Sequence, residues 1–225
     1  MTIKGETTEV LRFLADIKSI NNEGEPILSI KSLVPMLDAL EGTQSPTPLS
    51  PEPHPNWKVM LDDGKMTQEW YDHLVTDTVL KYEAGQKALA QTGYSNWYEW
   101  ANQNWGTKWG DYDTELTVSP SNILDGKQDA VEIYYQTAWS PFSNGFLVKI
   151  SEIYPTLTFS VSYSETGMGY VGYIVVNDGD VVFDESEEPS PSEDYDLNDD
   201  DGYEKFYDSF TDALDKMKER AKEII

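Results

Sequence analysis

The stretch VEIYYQTAWSPFSNGFLVKISEIYPTLTFSVSY, residues 131–163, decides the fold. Between residues 131 and 139 two sets of side chains alternate, which is the period of a strand with one face toward a core. Ser140-Pro141 is typical of a helix start, and the apolar residues that follow recur at helical spacing until Pro155. A second alternating run then covers residues 157–163. The stretch therefore predicts a strand, a helix and a second strand.

Further elements are predicted on both sides of this stretch. Residues 2–4 are β-like, and Thr7 can cap a helix that reaches Ile17. The β formers of residues 27–34 predict a second strand, and residues 168–183 predict a hairpin with a tight turn. This order of strands and helices is that of an α+β protein with a split βαβ antiparallel sheet.

The segment between the second strand and the stretch 131–163 predicts a helical insertion at about 38–92. The five prolines of residues 42–55 exclude a helix and a central strand, so we expect a surface loop, the alternative being a docking motif. Residues 67–90 have helical periodicity and are followed by Gly93, a plausible helix end. A short, tryptophan-rich helix is predicted over 96–106.

Charge is the strongest compositional signal. The 225-residue chain has 41 acidic and 16 basic residues, which gives a formal net charge of -25. Such a surface repels phosphate backbones and anionic lipid, so we expect no direct binding of nucleic acid and no membrane association. The absence of cysteine excludes disulfides and thiolate metal sites, and no apolar run approaches the ~20 residues that span a bilayer. We expect a cytoplasmic protein.

The acidic residues are concentrated in one part of the chain. Residues 184–225 hold 16 acidic and 5 basic residues, whereas residues 1–183 hold 25 and 11. The composition of residues 184–202 predicts an acidic flexible linker between a domain over 1–183 and an amphipathic helix over 203–225.

The carboxylates of the predicted linker form a candidate surface for a basic partner, because they can imitate a phosphate backbone. The candidate residues are Asp184, Glu185, Glu187, Glu188, Glu193, Asp194, Asp196, Asp199, Asp200 and Asp201. The alternative interpretation is a solvated segment that aids solubility.

Three stretches carry a resemblance to a known family. They are residues 27–36, residues 92–109 with their tryptophan-rich block, and Thr137-Ala138-Trp139-Ser140-Pro141 together with Gly167-Met168-Gly169. In these stretches the chain resembles the YubB-type ferredoxin-like proteins of phages and plasmids. The resemblance implies a ferredoxin-like sheet with helices on one face and a mobile-element origin, and it assigns no particular biochemical activity to the protein. The insertion and the acidic tail depart from the family pattern.

No residue pattern indicates catalysis. His54 lies in the proline loop and His73 lies mid-helix, and neither has a glycine-framed serine nearby, so we expect both at the surface. Residues 196–202 resemble a calcium loop, but the glycine comes one position late and Tyr207 stands where a glutamate belongs. We expect no enzyme, no cofactor and no metal site.

The tryptophans are the best candidates for ligand contact. Several fall on one face of the predicted short helix, where they could line a pocket together with two polar side chains. The candidate residues are Trp97, Trp100, Asn104, Trp105, Lys108, Trp109 and Trp139. The alternative is that aromatic residues at helical spacing belong to the core.

Two functions follow as hypotheses. The first is an accessory protein of phage or plasmid type that binds a basic host protein in the host cytoplasm, as a DNA mimic that inhibits a defence or DNA-processing factor. The second is a small-molecule binding module that uses the tryptophan-rich pocket. The sequence leaves the identity of the partner and the oligomeric state open.

Overall fold

The computed structural model describes residues 1–117, 130–190, 196 and 200–224. The chain divides into two compact units. Unit 1 comprises Met1–Val34 and Asn104–Ile225, and unit 2 comprises Pro35–Gln103.

Helices and strands alternate through much of the chain. The strands are β1 (Thr2–Gly5), β2 (Lys18–Ile20), β3 (Pro26–Leu28), β4 (Tyr112–Leu116), β5 (Ala130–Gln136), β6 (Leu157–Glu165), β7 (Tyr170–Asn177) and β8 (Asp180–Glu187). The helices are α1 (Thr7–Asp16), α2 (Pro55–Asp62), α3 (Gln68–Thr92), α4 (Trp97–Asn104), α5 (Asn144–Ile153) and α6 (Asp200–Lys222).

Unit 1 is built on a six-stranded sheet with the order β4-β5-β1-β6-β7-β8. Every strand pairing among the described residues is antiparallel. Ile3 of β1 lies opposite Val131 of β5 and Phe159 of β6, so β1 separates two strands that α5 connects. This is the split βαβ arrangement of a ferredoxin-like fold, which confirms the predicted fold class.

The main core lies between the sheet and the helices α1 and α5. Phe13 of α1 is fully buried, and its ring centroid lies 5.3 Å from that of Tyr154 and 5.4 Å from that of Phe159. Phe146 of α5 is also fully buried and stacks on Phe142. The alternating apolar residues of the strands therefore meet these helices on one face, as the sequence predicts.

A second core lies on the opposite face of the sheet. Phe159 pairs with Val176, so these two side chains point to the same face, and Val175 points to the other. There α6 packs its apolar side against β7 and β8. The buried residues of this cluster are Val171, Val175, Phe183, Phe210, Ala213, Met217 and Ala221. The predicted C-terminal helix thus docks on its own unit.

The predicted strand over 27–34 is wrong in most of its length. Only Pro26–Leu28 forms a strand, which pairs with β2 in a separate two-stranded sheet, and Ile30–Leu33 is a 3₁₀ helix. The carboxylate of Asp111 accepts hydrogen bonds from the backbone N–H of Ile30 and of Lys31, at 2.9 and 2.7 Å. These N–H groups are therefore not available to a neighbouring strand.

Two predicted boundaries also shift. The helix expected from Ser140 begins later, because the side chain of Ser143 accepts the hydrogen bond from the N–H of Phe146 and so caps α5. The predicted linker at 184–202 is shorter, because its first four residues belong to β8 and Asp200–Gly202 belong to α6. Of the residues between them, the structure describes 188–190 and 196.

Unit 2 contains the predicted helical insertion. Thr67 caps α3 by accepting a hydrogen bond from the N–H of Trp70, and Gly93 ends it in the left-handed region. His54 and His73 are exposed, as predicted. Thr47 of the proline loop donates a hydrogen bond to the carbonyl oxygen of Ser95, so this loop is fixed to the unit. None of the helices that the structure describes combines the length and the apolar composition of a membrane span.

Candidate functional site

The predicted tryptophan set is divided between the two units. Trp97 and Trp100 belong to unit 2, whereas the five other candidate residues belong to unit 1. Trp100 is 4% exposed, and the backbone N–H of Trp97 donates a hydrogen bond to Thr43. In unit 2 these residues therefore stabilise the fold around the start of α4.

Trp105 is also a buried residue, with 5% exposure. Its indole N–H donates a hydrogen bond to the carbonyl oxygen of Val34 at 2.8 Å. Asn104 accepts a hydrogen bond from Lys149 at 3.2 Å. Both side chains hold parts of unit 1 together, Trp105 as a core residue and Asn104 as a partly exposed one.

Trp109 and Trp139 form an exposed aromatic pair. They are 48% and 65% exposed, and their ring centroids lie 6.0 Å apart. The ammonium group of Lys108 lies 4.6 Å from the Trp109 ring centroid and 5.2 Å from that of Trp139. One cation is thus bound by two indole rings at the surface.

The backbone of Trp139 is held in an uncommon conformation. Its φ of 62° lies in the left-handed region, which a bulky side chain rarely adopts. The hydroxyl of Tyr170 donates a hydrogen bond to the carbonyl oxygen of Trp139 at 2.5 Å. In the preceding residue, Ala138, the N–H donates a hydrogen bond to the hydroxyl of Thr107, and the carbonyl oxygen accepts one from it. In the following residue, the hydroxyl of Ser140 donates to the carbonyl oxygen of Gly106. Such a strained residue persists because its surroundings fix it, and functional sites often use this.

Trp139 lines a groove of about 440 Å³, here called the aromatic groove. Its walls come from β4, β5, β6, β7 and α6, and most of its ring-bearing side chains are tyrosines. The lining residues are Met1, Tyr112, Ile133, Tyr134, Tyr135, Gln136, Thr137, Trp139, Ser140, Pro141, Ser162, Tyr163, Ser164, Glu165, Tyr170 and Leu214. Neither Lys108 nor Trp109 is among them.

Sequence reasoning missed the tyrosines of this groove. Tyr134 is 55% exposed and Tyr112 is 38% exposed. The strand alternation placed Tyr134 on the face away from the main core, and that was the signal available. Tyr170 begins a strand and belongs to no motif that would have distinguished it.

The aromatic groove is lined by one carboxylate, that of Glu165, and by the amino group of Met1. This amino group donates a hydrogen bond to the carbonyl oxygen of Ile133, and burial lowers its pKa to about 6, so at neutral pH it is mostly uncharged and Glu165 supplies the charge of the groove. Burial raises the pKa of Tyr170, and the carboxylate of Glu165 raises this pKa further. Burial likewise raises the pKa of Tyr163. The hydroxyl groups therefore stay protonated at neutral pH, and the groove favours a cation over an anion.

A second groove, of about 650 Å³, lies between the end of β8 and α6 and is here called the acidic groove. It combines four carboxylates with two ammonium groups. The lining residues are Glu187, Glu188, Pro189, Ser190, Lys205, Asp208, Ser209, Asp212, Ala213 and Lys216. The carboxylates of Glu187, Glu188, Asp208 and Asp212 belong to exposed residues.

The structure places the predicted acidic surface in several environments. Asp184 accepts a hydrogen bond from Asn144, and Glu185 forms an ion pair with Arg220, so these two carboxylates have partners within unit 1. Asp196, Asp200 and Asp201 are exposed, and Asp201 forms an ion pair with Lys205 at 3.3 Å. Glu187 and Glu188 line the acidic groove, and Glu193, Asp194 and Asp199 lie outside the described residues.

Helix α6 separates the two grooves. Leu214 lines the aromatic groove, whereas Asp208 and Asp212 line the acidic groove. An α-helix is about 10–12 Å across, so both grooves lie within the reach of one short peptide segment. In the part of the chain that the structure describes, no group of three or more His, Asp or Glu residues is placed to hold a metal ion.

Comparison with known proteins relates part of the chain to a domain family. Neither a curated protein nor a solved structure matches this chain significantly. Residues 104–209 match the model of a family described as the ferredoxin-like domain in Api92-like protein. The matched segment includes the strands β4, β5, β6, β7 and β8 but not β1, and it includes all but two of the residues that line the aromatic groove. This part of the chain is therefore similar to that ferredoxin-like domain.

Proposed function

We propose that the protein is an interaction protein that binds a partner with a basic surface. The observation that carries this proposal is the distribution of charge on unit 1. Unit 2 holds 10 acidic and 4 basic residues, so unit 1 holds 31 and 12 and thus has a net charge of -19 out of -25. The exposed carboxylates of the acidic groove are part of this excess and are accessible to a basic partner.

The biological setting belongs to the same proposal. We place the protein among the YubB-type products of phages and plasmids, in the cytoplasm of the host cell, on the strength of the three resembling stretches. A basic groove that normally holds DNA is a suitable partner surface, because a protein with this charge presents carboxylates where DNA presents phosphates. Inhibition of a host defence or DNA-processing factor follows as the proposed role.

Neutralising the acidic groove is expected to weaken binding of a basic probe about tenfold. The probe is a fluorescein-labelled 12-residue peptide that carries four arginines separated by glycine and serine. The variant E187Q/E188Q/D208N/D212N removes four exposed carboxylates, each of which contributes a few tenths of a kcal/mol to attraction of a cation. Fluorescence anisotropy at roughly 50 and 200 mM salt measures the affinity, which should fall as salt screens the charges.

The matched control changes the net charge by the same amount in unit 2. The variant E41Q/E52Q/E69Q/E83Q neutralises four exposed glutamates there. We expect it to change the affinity less than about threefold, because it leaves the acidic groove intact. Equal losses in both variants would show that total charge alone attracts the peptide, and absence of salt-sensitive binding to the wild type would refute the proposal.

The second hypothesis, a small-molecule module in a tryptophan-rich pocket, has less support. It requires the candidate tryptophans to line one pocket, but Trp100 and Trp105 are buried. Trp139 is the one member of the predicted set that lines the aromatic groove. We therefore assign that groove to the protein partner.

A further inference from the structure

We propose that the aromatic groove receives an arginine side chain of the basic partner. This inference rests on the proposed function and makes it more specific, because it names a second contact surface and the side chain that it recognises. The acidic groove attracts positive charge in general. The aromatic groove would select the chemical form in which that charge is presented.

The aromatic side chains of the groove suit a cation. Trp139 remains 65% exposed although Lys108 already lies 5.2 Å from its ring centroid. Its indole therefore binds one cation in the structure and keeps accessible surface, and Trp139 lines the groove. The exposed ring of Tyr134 lines the same groove. A guanidinium group stacks on such rings because their faces are negative and because the group is planar and weakly hydrated.

Glu165 supplies the charge complement. Its Oε1 accepts a hydrogen bond from the N–H of Gly167 at 3.0 Å, which fixes the carboxylate at the end of β6. A carboxylate accepts two parallel hydrogen bonds from a guanidinium group, whereas it accepts a lysine ammonium as a point charge. The combination of rings and one carboxylate thus favours arginine over lysine.

The groove is also organised before a ligand arrives. The hydrogen bond from Tyr170 and the contacts of Thr107 and Ser140 hold the backbone around Trp139. A ring that is already positioned loses little conformational freedom when it binds, so more of the contact energy contributes to affinity. This arrangement gives the uncommon φ of Trp139 a function.

Continuity with the acidic groove favours a peptide segment as the occupant. Helix α6 lies between the grooves, and Leu214 and Asp212 are two positions apart on it. Because the apolar side of α6 lies on the sheet, such a segment passes over the exposed side of the helix, and about six extended residues are long enough for a helix 10–12 Å wide. One basic segment can then place an arginine in the aromatic groove and other cations over the acidic groove.

The test compares the four-arginine peptide with a four-lysine peptide of the same spacing, on the full chain. We expect the wild type to bind the arginine peptide about threefold to tenfold more tightly, since a planar guanidinium group stacks on the rings and makes a bidentate contact with Glu165, which an ammonium group does not. The variant W139G should lose the preference. Glycine adopts a φ of 62° without strain, so removal of the indole should leave thermal unfolding close to that of the wild type.

Two further variants separate the groove from its surroundings. E165Q should weaken binding of the arginine peptide about threefold to tenfold and that of the lysine peptide less, because the bidentate contact is lost. W70A is the matched control, since Trp70 is an exposed tryptophan of unit 2 that does not line the groove. It should keep the arginine preference.

The outcomes distinguish the two proposals. One outcome is that both peptides bind with the same affinity, that W139G does not change this affinity, and that the quadruple change in the acidic groove lowers it. This outcome would overturn the arginine pocket and leave the proposed function standing. An arginine preference that W139G abolishes, with no effect of the quadruple change, would support the pocket and overturn the role of the acidic groove. Binding of neither peptide would overturn both. A free aromatic compound that shifts the melting temperature of the wild type but not of W139G, without any peptide preference, would assign the groove to small molecules and overturn the arginine pocket.

Discussion

Substitution of Asp111 by alanine is expected to lower the free energy of unfolding of unit 1 by about 3–5 kcal/mol. Asp111 is 2% exposed, and its carboxylate accepts hydrogen bonds from the N–H groups of Ile30 and Lys31 and from the hydroxyl of Thr114. Alanine leaves these donors without their acceptor at a buried site. Urea unfolding followed by tryptophan fluorescence measures the change.

The control for this prediction is Glu115→Ala, which removes an exposed carboxylate from β4 and should change stability by less than about 0.5 kcal/mol. Asp111→Asn should lie between the two, because an amide oxygen still accepts one of the hydrogen bonds. A loss below about 1 kcal/mol in the alanine variant would contradict the assignment of Asp111 as the residue that fixes the 3₁₀ helix at Ile30–Leu33.

Phe210→Ala is expected to lower the free energy of unfolding by about 3–4 kcal/mol. Phe210 is 5% exposed in the cluster that joins α6 to β7 and β8, and its ring centroid lies 4.9 Å from that of Phe206. Removal of the ring leaves a cavity under the helix. Because α6 contributes walls to both grooves, the variant should also weaken binding of the arginine peptide.

Circular dichroism during thermal unfolding measures this effect, and Glu204→Ala on the exposed side of α6 is the control. We expect the control to stay within about 0.5 kcal/mol of the wild type. If Phe210→Ala changed neither stability nor peptide binding, then the docking of α6 on the sheet would not be the basis of the two grooves.

The sheet and its helices could be predicted because their signals are local. In residues 131–163, apolar side chains alternate in the two strands and recur at helical spacing in the helix that connects them. These patterns indicate which face of each element meets a core. The strand expected over residues 27–34 failed for the opposite reason. The residues there do favour β structure. However, the carboxylate of Asp111, about 80 positions along the chain, accepts hydrogen bonds from the N–H groups that a strand would need.

The candidate site depended on contacts that composition does not encode. A tryptophan has the same local signal whether it is buried, as Trp105 is, or exposed, as Trp139 is. The difference lies in the tertiary contacts, because the indole N–H of Trp105 donates to the carbonyl oxygen of Val34, whereas the Trp139 ring lies beside Lys108 and Trp109 at the surface. Tyr134 and Tyr170 could not be selected in advance, because a groove forms only when strands that are distant in sequence lie side by side.

The sequence by itself determined the class of the protein. Charge, the absence of cysteine and the order of periodic segments are properties of residues and their near neighbours, so they predicted an acidic, split βαβ protein before any contact was known. The tertiary structure decided which aromatic rings meet solvent, which carboxylates already have partners, and on which face α6 docks. These are consequences of packing between segments far apart in the chain, and the free energy of that packing is not a sum of local preferences.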